Sequence, residues 1–324
     1  MFNIYTDLAL EARELYQEER NEEIPGVKVQ NEEIEDVIVT RVEVLDEGGV
    51  KIIGKPIGKY ITLESSSLRK ADADFKDSMS KLLAKELKAI IPKKDNIKAL
   101  VVGLGNWDVT PDALGPKVVS KVFVTRHLFK MYNKEGDTDV SEVSAISPGV
   151  MGTTGLETSE VVKGIVENSK PDIVIVVDAL ASRKMERVNS TIQISTTGIT
   201  PGSGLGNKRK ALNESNLGVP VIAIGVPTVV DAATLTSDTI DKVIDAFSRQ
   251  AKVGSQFYNM LKGLKEEEKY NLIREVLEPY SANIIVTPKE VDEVIVNLSQ
   301  IIANGINIAI HPGIDLKDVN RYIN

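Results

Sequence analysis

The sequence predicts an α/β fold of three layers, in which helices cover both faces of a mainly parallel β-sheet. From residue 97 onward, short apolar stretches alternate with helical patterns, the order expected of parallel strands joined by crossover helices. These stretches are apolar at successive positions, as in strands that are buried on both faces. The 324 residues, of which 42% are hydrophobic and 27% charged, suffice for a substantial core.

Each element follows from its local pattern. The predicted strands of the α/β region are Ile97–Val102, Glu142–Ile146, Asp172–Val177, Val219–Ile224, Asn283–Val286 and Asn307–Ile310. The predicted helices are Leu8–Arg20, Phe75–Ile91, Pro116–Asn133, Thr158–Asn168, Thr234–Arg249, Glu267–Leu277 and Pro288–Ala303. Alternating residues and turn signals over Val37–Leu63 predict a small β-rich excursion.

Composition excludes several classes of function. The chain has no cysteine, which removes disulfides, thiolate metal sites and a cysteine nucleophile, and fits a reducing cytoplasm. Its two histidines, His127 and His311, leave little for His-based triads or zinc sites. A net charge of −8 argues against direct nucleic-acid binding. Without a signal peptide or an apolar run of roughly 18–20 residues, we expect no membrane partner.

Two aspartates share one context. Asp112 and Asp178 each follow a buried strand, the former after a short loop, and each is followed by Ala-Leu. The carboxyl ends of parallel strands meet at one edge of a sheet, where ligands of such folds bind. Two adjacent carboxyls cannot both ionise cheaply, so one can act as a base while the other stays protonated. Alternatively, each is a helix cap or a member of an ion pair. Asp231, a third candidate, is expected to cap the helix at Thr234.

A glycine turn after the first α/β strand allows another interpretation. Gly103-Leu104-Gly105 resembles the start of a dinucleotide-binding fingerprint, but Asp108 occupies the third glycine position and no helix begins at once. A Rossmann-like module that binds a nucleotide or metabolite therefore stays an alternative. Further on, the basic cluster Lys208-Arg209-Lys210 lies in a glycine-rich loop, where it is solvated or contacts an acidic substrate segment.

Five motifs resemble those of the spore germination proteases of endospore-forming bacteria. They are Gly103–Pro116, Ser147–Thr158, Val176–Arg183, Thr196–Asn207 and Gly225–Ala232. The resemblance implies an atypical aspartic endopeptidase that degrades small acid-soluble spore proteins in the cytoplasm of the spore core. It also implies a homotetramer and a zymogen that processes itself, and it places the two catalytic residues at Asp112 and Asp178.

A more distant resemblance is to the hydrogenase-maturation endopeptidases, through Gly-x-Gly-Asn with an acidic residue nine positions after the first glycine. It implies a similar fold. In those enzymes two acidic residues and a histidine bind a metal, and this chain has no histidine where the third ligand is expected. We therefore predict carboxylate chemistry without a metal or cofactor. A metal-dependent maturation-type protease stays the alternative.

The germination protease resemblance also gives the N-terminus a meaning. Members of that family remove a short propeptide at an acidic residue followed by an aliphatic residue and alanine, and Thr6-Asp7-Leu8-Ala9 has this form. We expect cleavage between Asp7 and Leu8, which divides the chain into a propeptide, residues 1–7, and one α/β peptidase domain, residues 8–324. Otherwise residues 1–7 are a frayed terminus and Asp7 caps the first helix.

Overall fold

A computed structural model describes residues 7–20, 24–94, 96–132, 139–202, 209–250, 273, 275–276 and 284–318. Its described strands are β1 (Val27–Ile34), β2 (Val37–Val44), β3 (Gly58–Glu64), β4 (Lys98–Gly103), β5 (Glu142–Ile146), β6 (Ile173–Ser182), β7 (Thr191–Ser195), β8 (Val221–Asp231) and β9 (Ile285–Val286). They form one sheet in the order β1-β2-β3-β7-β8-β6-β4-β5, with β9 beside β8.

Ten helices lie within the described residues. They are α1 (Ala9–Arg20), α2 (Glu47–Ile53), α3 (Ala73–Ile90), α4 (Leu114–Val119), α5 (Arg126–Tyr132), α6 (Met151–Thr154), α7 (Thr158–Ser169), α8 (Glu214–Leu217), α9 (Ala232–Gln250) and α10 (Val291–Ile310). The predicted helix Glu267–Leu277 falls almost wholly outside the described residues.

The core of the sheet is parallel, as the sequence predicts. Strands β8, β6, β4 and β5 lie side by side in parallel. The β-rich excursion predicted over Val37–Leu63 forms β2 and β3 with α2 between them, whereas β1 precedes it and was not predicted. The three strands extend the same sheet, because β3 pairs with β7 in antiparallel register. The sequence analysis placed no strand at Thr191–Ser195, although β7 joins the two halves of the sheet.

Helices cover both faces of the parallel core, so the predicted three layers are confirmed. Alternate residues of β4 point to opposite faces: Ala99 and Val101 pack in the cluster that holds α3, α4 and α10. Leu100 and Val102 pack in a second cluster with Val162 of α7. A third, smaller cluster covers β2 and β3 with residues of α1 and α2.

The last predicted strand, Asn307–Ile310, is wrong, because these residues form the final turn of α10. Taken alone, this short apolar segment has the pattern of a buried strand. In the structure it is the end of the 20-residue helix α10, which packs against α3. The Asn307 side chain accepts a hydrogen bond from the Phe123 amide at 2.9 Å and donates one to the Lys121 carbonyl at 3.1 Å. Although α10 has the length and apolar composition of a membrane span, 67% of that window is buried, as in a core helix.

The predicted helix Pro116–Asn133 is also corrected, since it divides into α4 and α5.

Of the two histidines, His127 is exposed on α5, whereas His311 is fully buried at the end of α10. His311 Nδ1 accepts from the Ser141 amide and Nε2 donates to the Phe123 carbonyl, both at 3.1 Å. Burial lowers the pKa of His311 to about 4, so it is a neutral structural residue at pH 7.

Candidate functional site

Asp112 and Asp178 line one cavity of about 230 Å³ at the carboxyl-terminal side of the parallel strands. The sequence analysis expected them at a common edge, and the structure brings them together there. Asp178 lies within β6 and pairs with Gly225 of β8, so β6 extends further than the predicted strand that ended at Val177. The cavity is therefore formed partly by the strands themselves and partly by the loop that follows β4.

A tight turn after β4 places Asp112. Gly105 has φ +114°, and the loop folds back so that the Asn106 amide donates to the Asp112 carbonyl at 3.2 Å. The Asp112 amide donates to the Val109 carbonyl at 2.8 Å, which closes a 3₁₀ turn over Thr110–Asp112. Asp112 is not the helix cap of the alternative interpretation, because Ala113 occupies that position at the start of α4. Its carboxyl group is thus available to the cavity.

We expect Gly105→Ala to reduce activity at least tenfold and to destabilise the fold. A Cβ at this position would collide with the Asp112 carbonyl, and the positive φ costs of order 1–3 kcal/mol for a residue other than glycine. Gly155→Ala is the matched control, since Gly155 also has positive φ (+71°) but no atom within 4 Å of the added Cβ. Equal peptidase rates and melting temperatures for the two variants would contradict this account.

The surroundings of Asp178 favour its protonated form. Its side chain is buried, with 5% of the residue exposed, and burial is the main reason that its pKa lies well above the usual value. The nearby charges of Asp112 and Asp7 raise the pKa further, while the Ala179 amide, which donates to Oδ1 at 2.9 Å, lowers it. Asp178 therefore keeps its proton to a higher pH than an ordinary aspartate does.

Asp112 titrates at a lower pH than Asp178. Burial raises its pKa to about 6, and the Asn106 amide and the charge of Arg209 hold it from rising further. The charge of ionised Asp112 in turn raises the pKa of Asp178, so the pair favours one ionised and one protonated carboxyl. This is the arrangement in which a pair of aspartates supplies a general base and a general acid.

Asp7, the first described residue, lies against the same cavity. The Ala181 amide donates to Asp7 Oδ2 at 3.1 Å, and the Asp7 amide approaches the Ala181 carbonyl at 3.5 Å. Leu8 and Ala9, on the other side of the predicted cleavage point, are fully buried. Asp7 therefore lines the cavity with its carboxylate bound to the backbone of β6.

Charged contacts anchor α1 and so fix the N-terminal segment. Glu11, 1% exposed, accepts from the backbone amides of Arg183 and Lys184 at 2.9 and 3.0 Å. Glu14 accepts two hydrogen bonds from the Arg187 guanidinium, at 2.5 and 2.9 Å. Despite burial, the hydrogen bonds from Arg187 and Lys184 lower the pKa of Glu14 to about 2. Sequence reasoning missed these residues because the partners lie about 170 positions apart without a local motif.

We expect Arg187→Met to destabilise the fold by about 3 kcal/mol, because Arg187 is the cation shared by Glu11, Glu14 and Glu64, of which Glu11 is buried. Lys242→Met is the control, since Lys242 forms an exposed ion pair with Glu186, which contributes little. Chemical denaturation of both variants measures the difference. A change below about 1 kcal/mol for Arg187→Met would show that the Arg187 ion pairs contribute little to holding α1.

Other candidates of the sequence analysis lie elsewhere or at the margin. Asp231 caps α9, as predicted: Oδ2 accepts from the Thr234 amide at 3.0 Å. Arg209 of the basic cluster lines the cavity and lowers the pKa of both aspartates, whereas Lys210 is exposed. Among the described residues, no group of three histidine, cysteine, aspartate or glutamate side chains has the arrangement of a metal site.

Comparisons with known proteins agree with the motifs. A family model described as germination protease matches residues 7–262 and 251–323. The germination protease of Clostridium tetani is 52% identical over 99% of this chain and 100% of its own length. That of Caldanaerobacter subterraneus is 51% identical over 100% and 99%, and that of Bacillus thuringiensis 46% identical over 99% and 97%. A solved NiFe hydrogenase maturation protease from Thermococcus kodakarensis aligns with 60% of this chain and 97% of its own at 16% identity, with a TM-score of 0.28.

These matches place the chain among the proteases. More particularly, it belongs to the germination protease family. Its relatives come from endospore-forming bacteria.

Proposed function

We propose that the protein is an aspartic-type endopeptidase that hydrolyses small acid-soluble spore proteins during germination, with Asp112 and Asp178 as its catalytic residues. One observation carries the proposal: both carboxyls line a single cavity, where burial raises the pKa of each and the charge of Asp112 raises that of Asp178 further. No cofactor is required for this chemistry.

In the proposed reaction, ionised Asp112 accepts a proton from a water molecule as the water oxygen attacks the carbonyl carbon of the scissile peptide bond. Protonated Asp178 donates its proton to the carbonyl oxygen as the tetrahedral intermediate forms, and takes a proton back from that hydroxyl when the intermediate collapses. The proton taken up by Asp112 then passes to the leaving amide nitrogen, the C–N bond breaks, and a carboxyl and an amine are released. The proton balance is closed, since each aspartate ends in its starting state.

We further propose that the chain is a zymogen that cleaves its own Asp7–Leu8 bond, so that residues 8–324 form the mature peptidase domain. The Asp7 carboxylate, which accepts from the Ala181 amide where Asp7 lines the cavity, supports this. Such an enzyme would work as a homotetramer in the cytoplasm of the spore core. Its partner would be a DNA-coating protein and not the DNA, which the chain's net charge of −8 would repel.

The test is the intact mass of the full chain over time at mildly acidic pH, for wild type, Asp112→Asn and Asp178→Asn. We expect wild type alone to lose residues 1–7. Equal trimming of all three chains would indicate a different active centre or a contaminating protease. Hydrolysis of a peptide that contains Asp-Leu-Ala, measured in the same samples, tests the activity toward a second molecule.

Two alternatives make different predictions. A metal-dependent maturation-type protease would lose activity when a chelator is added, whereas the two-aspartate enzyme would keep it. A nucleotide-binding module would tolerate Asp112→Asn. The acidic side chains of the cavity oppose the binding of a phosphate group, which favours the peptidase over the nucleotide-binding module.

A further inference from the structure

Donors other than the two catalytic aspartates bind Asp7. The Lys55 ammonium donates to the Asp7 carbonyl oxygen at 3.1 Å, and Gln193 Nε2 donates to the same oxygen at 3.2 Å. The Ala181 amide donates to the Asp7 carboxylate. The carbonyl of the predicted cleavage point and the acidic side chain beside it are therefore both recognised.

The Gln193 side chain forms hydrogen bonds with the backbone on both sides of Leu8. While its Nε2 binds the Asp7 carbonyl, its Oε1 accepts from the Ala9 amide at 2.8 Å. The side-chain amide thus pairs with two peptide groups as an adjacent strand would. Gln193 lies in β7, is 8% exposed and so is held in place by the sheet. These contacts need no particular side chain, and they fix the conformation of any peptide at this position.

Lys55 places a positive charge beside Asp7, with its ammonium 3.1 Å from the Asp7 carbonyl oxygen. It follows Gly54, the left-handed residue that ends α2, and lies in a second cavity that Asp7 separates from the cavity of the aspartates. Burial disfavours its charged form, and the charges of Asp7 and Glu11 favour it. In such partly desolvated surroundings a carboxylate is much better accommodated beside an ammonium than a neutral amide is.

We propose that Lys55, Gln193 and the Ala181 amide form the subsite for an acidic residue on the amino-terminal side of the scissile bond, with Lys55 as the residue that selects its charge. This inference rests on the proposed peptidase function. In the full chain Asp7 occupies the subsite. Once residues 1–7 are released, the same donors bind the acidic residue of a substrate.

A double-mutant cycle in the full chain tests this subsite. The rate at which residues 1–7 are lost is measured by intact mass for wild type, Asp7→Asn, Lys55→Met and the double variant. We expect Asp7→Asn to slow processing about tenfold when Lys55 is present and less than about twofold in the Lys55→Met chain. Lys55→Arg, which keeps the charge, should preserve the slowing caused by Asp7→Asn. Lys51→Met, which removes an exposed lysine of α2, should behave as wild type.

The outcomes separate the subsite from the peptidase. An effect of Asp7→Asn that is equal with and without Lys55 overturns the subsite. A wild-type chain that stays intact while it hydrolyses a peptide with Asp-Leu-Ala also overturns the subsite. The proposed peptidase function is then still supported. Absence of both reactions contradicts the proposed function itself. The melting temperature of each variant shows whether a lower rate comes from unfolding. If Lys55→Met unfolds, the effect of Asp7→Asn in the Lys55→Arg chain decides whether the subsite exists.

Discussion

Asp112→Asn and Asp178→Asn are each expected to lower kcat for peptide hydrolysis by about 10³-fold or more, because each removes one half of the acid–base pair. Asparagine has nearly the shape of aspartate, so the cavity keeps its form, but the amide can neither take up a proton from water nor donate one as a carboxylic acid does. The rate is measured with a peptide that contains Asp-Leu-Ala. The double variant should be little worse than either single variant, since the two groups act as a unit.

Asp231→Asn provides the control for these variants. Asp231 lies at the end of a strand of the same sheet, but its carboxylate caps α9, and asparagine caps a helix about as well as aspartate. Its rate should stay within about twofold of wild type. A comparable loss in Asp231→Asn would show that the rate responds to any lost charge at this edge, and a rate near wild type for Asp178→Asn would remove it from the catalytic pair.

The stability of Asp178→Asn gives an independent readout. Because the pKa of Asp178 is raised in the folded chain, its contribution to stability is present below the unfolded value near 3.8 and is lost as pH rises toward the folded value. The asparagine variant lacks this loss. We therefore expect its free energy of unfolding to match wild type at low pH and to exceed it at high pH, so that an inactive variant is also the more stable one.

Local sequence patterns predicted most of the parallel core. The stretch at β6 is apolar over successive residues, and its two-sided burial needs no knowledge of its neighbours. By contrast, β7 is only five residues long and contains Thr191, Gln193 and Ser195, which are buried by β3 and β8 rather than by an apolar pattern of their own. The strand predicted over Asn307–Ile310 failed for the opposite reason, since four residues cannot distinguish a strand from the end of a buried helix.

The same distinction applies to the candidate site. Asp112 and Asp178 could be identified because each follows a recognisable strand, and the fold brings such positions together. Lys55 and Gln193 could not be identified in this way. Their partner is a carbonyl oxygen, which every residue has, and the contacts span 48 and 186 positions. Contacts of this kind arise from the tertiary fold and have no sequence motif.

The pH dependence of hydrolysis is expected to be bell-shaped, because the reaction needs Asp112 ionised and Asp178 protonated. On the acidic side, kcat/KM should rise up to tenfold per pH unit until the pH passes about 6, the pKa to which burial raises Asp112. On the alkaline side, the rate should fall when Asp178 loses its proton, well above the usual range of an aspartate. The two limits belong to the coupled pair, so each reports a macroscopic pKa of the pair.

Arg209→Gln tests this assignment without touching either carboxyl. The Arg209 charge lowers the pKa of both aspartates, so its removal should move both sides of the profile to higher pH while the maximal rate changes less. Lys210→Gln removes the neighbouring charge, which is exposed and does not line the cavity, and should leave the profile in place. If kcat/KM of wild type stays constant as the pH is lowered to 4, Asp112 is excluded as the base. A profile that shifts equally in both variants would show that the pair responds to net charge and not to the guanidinium at the cavity.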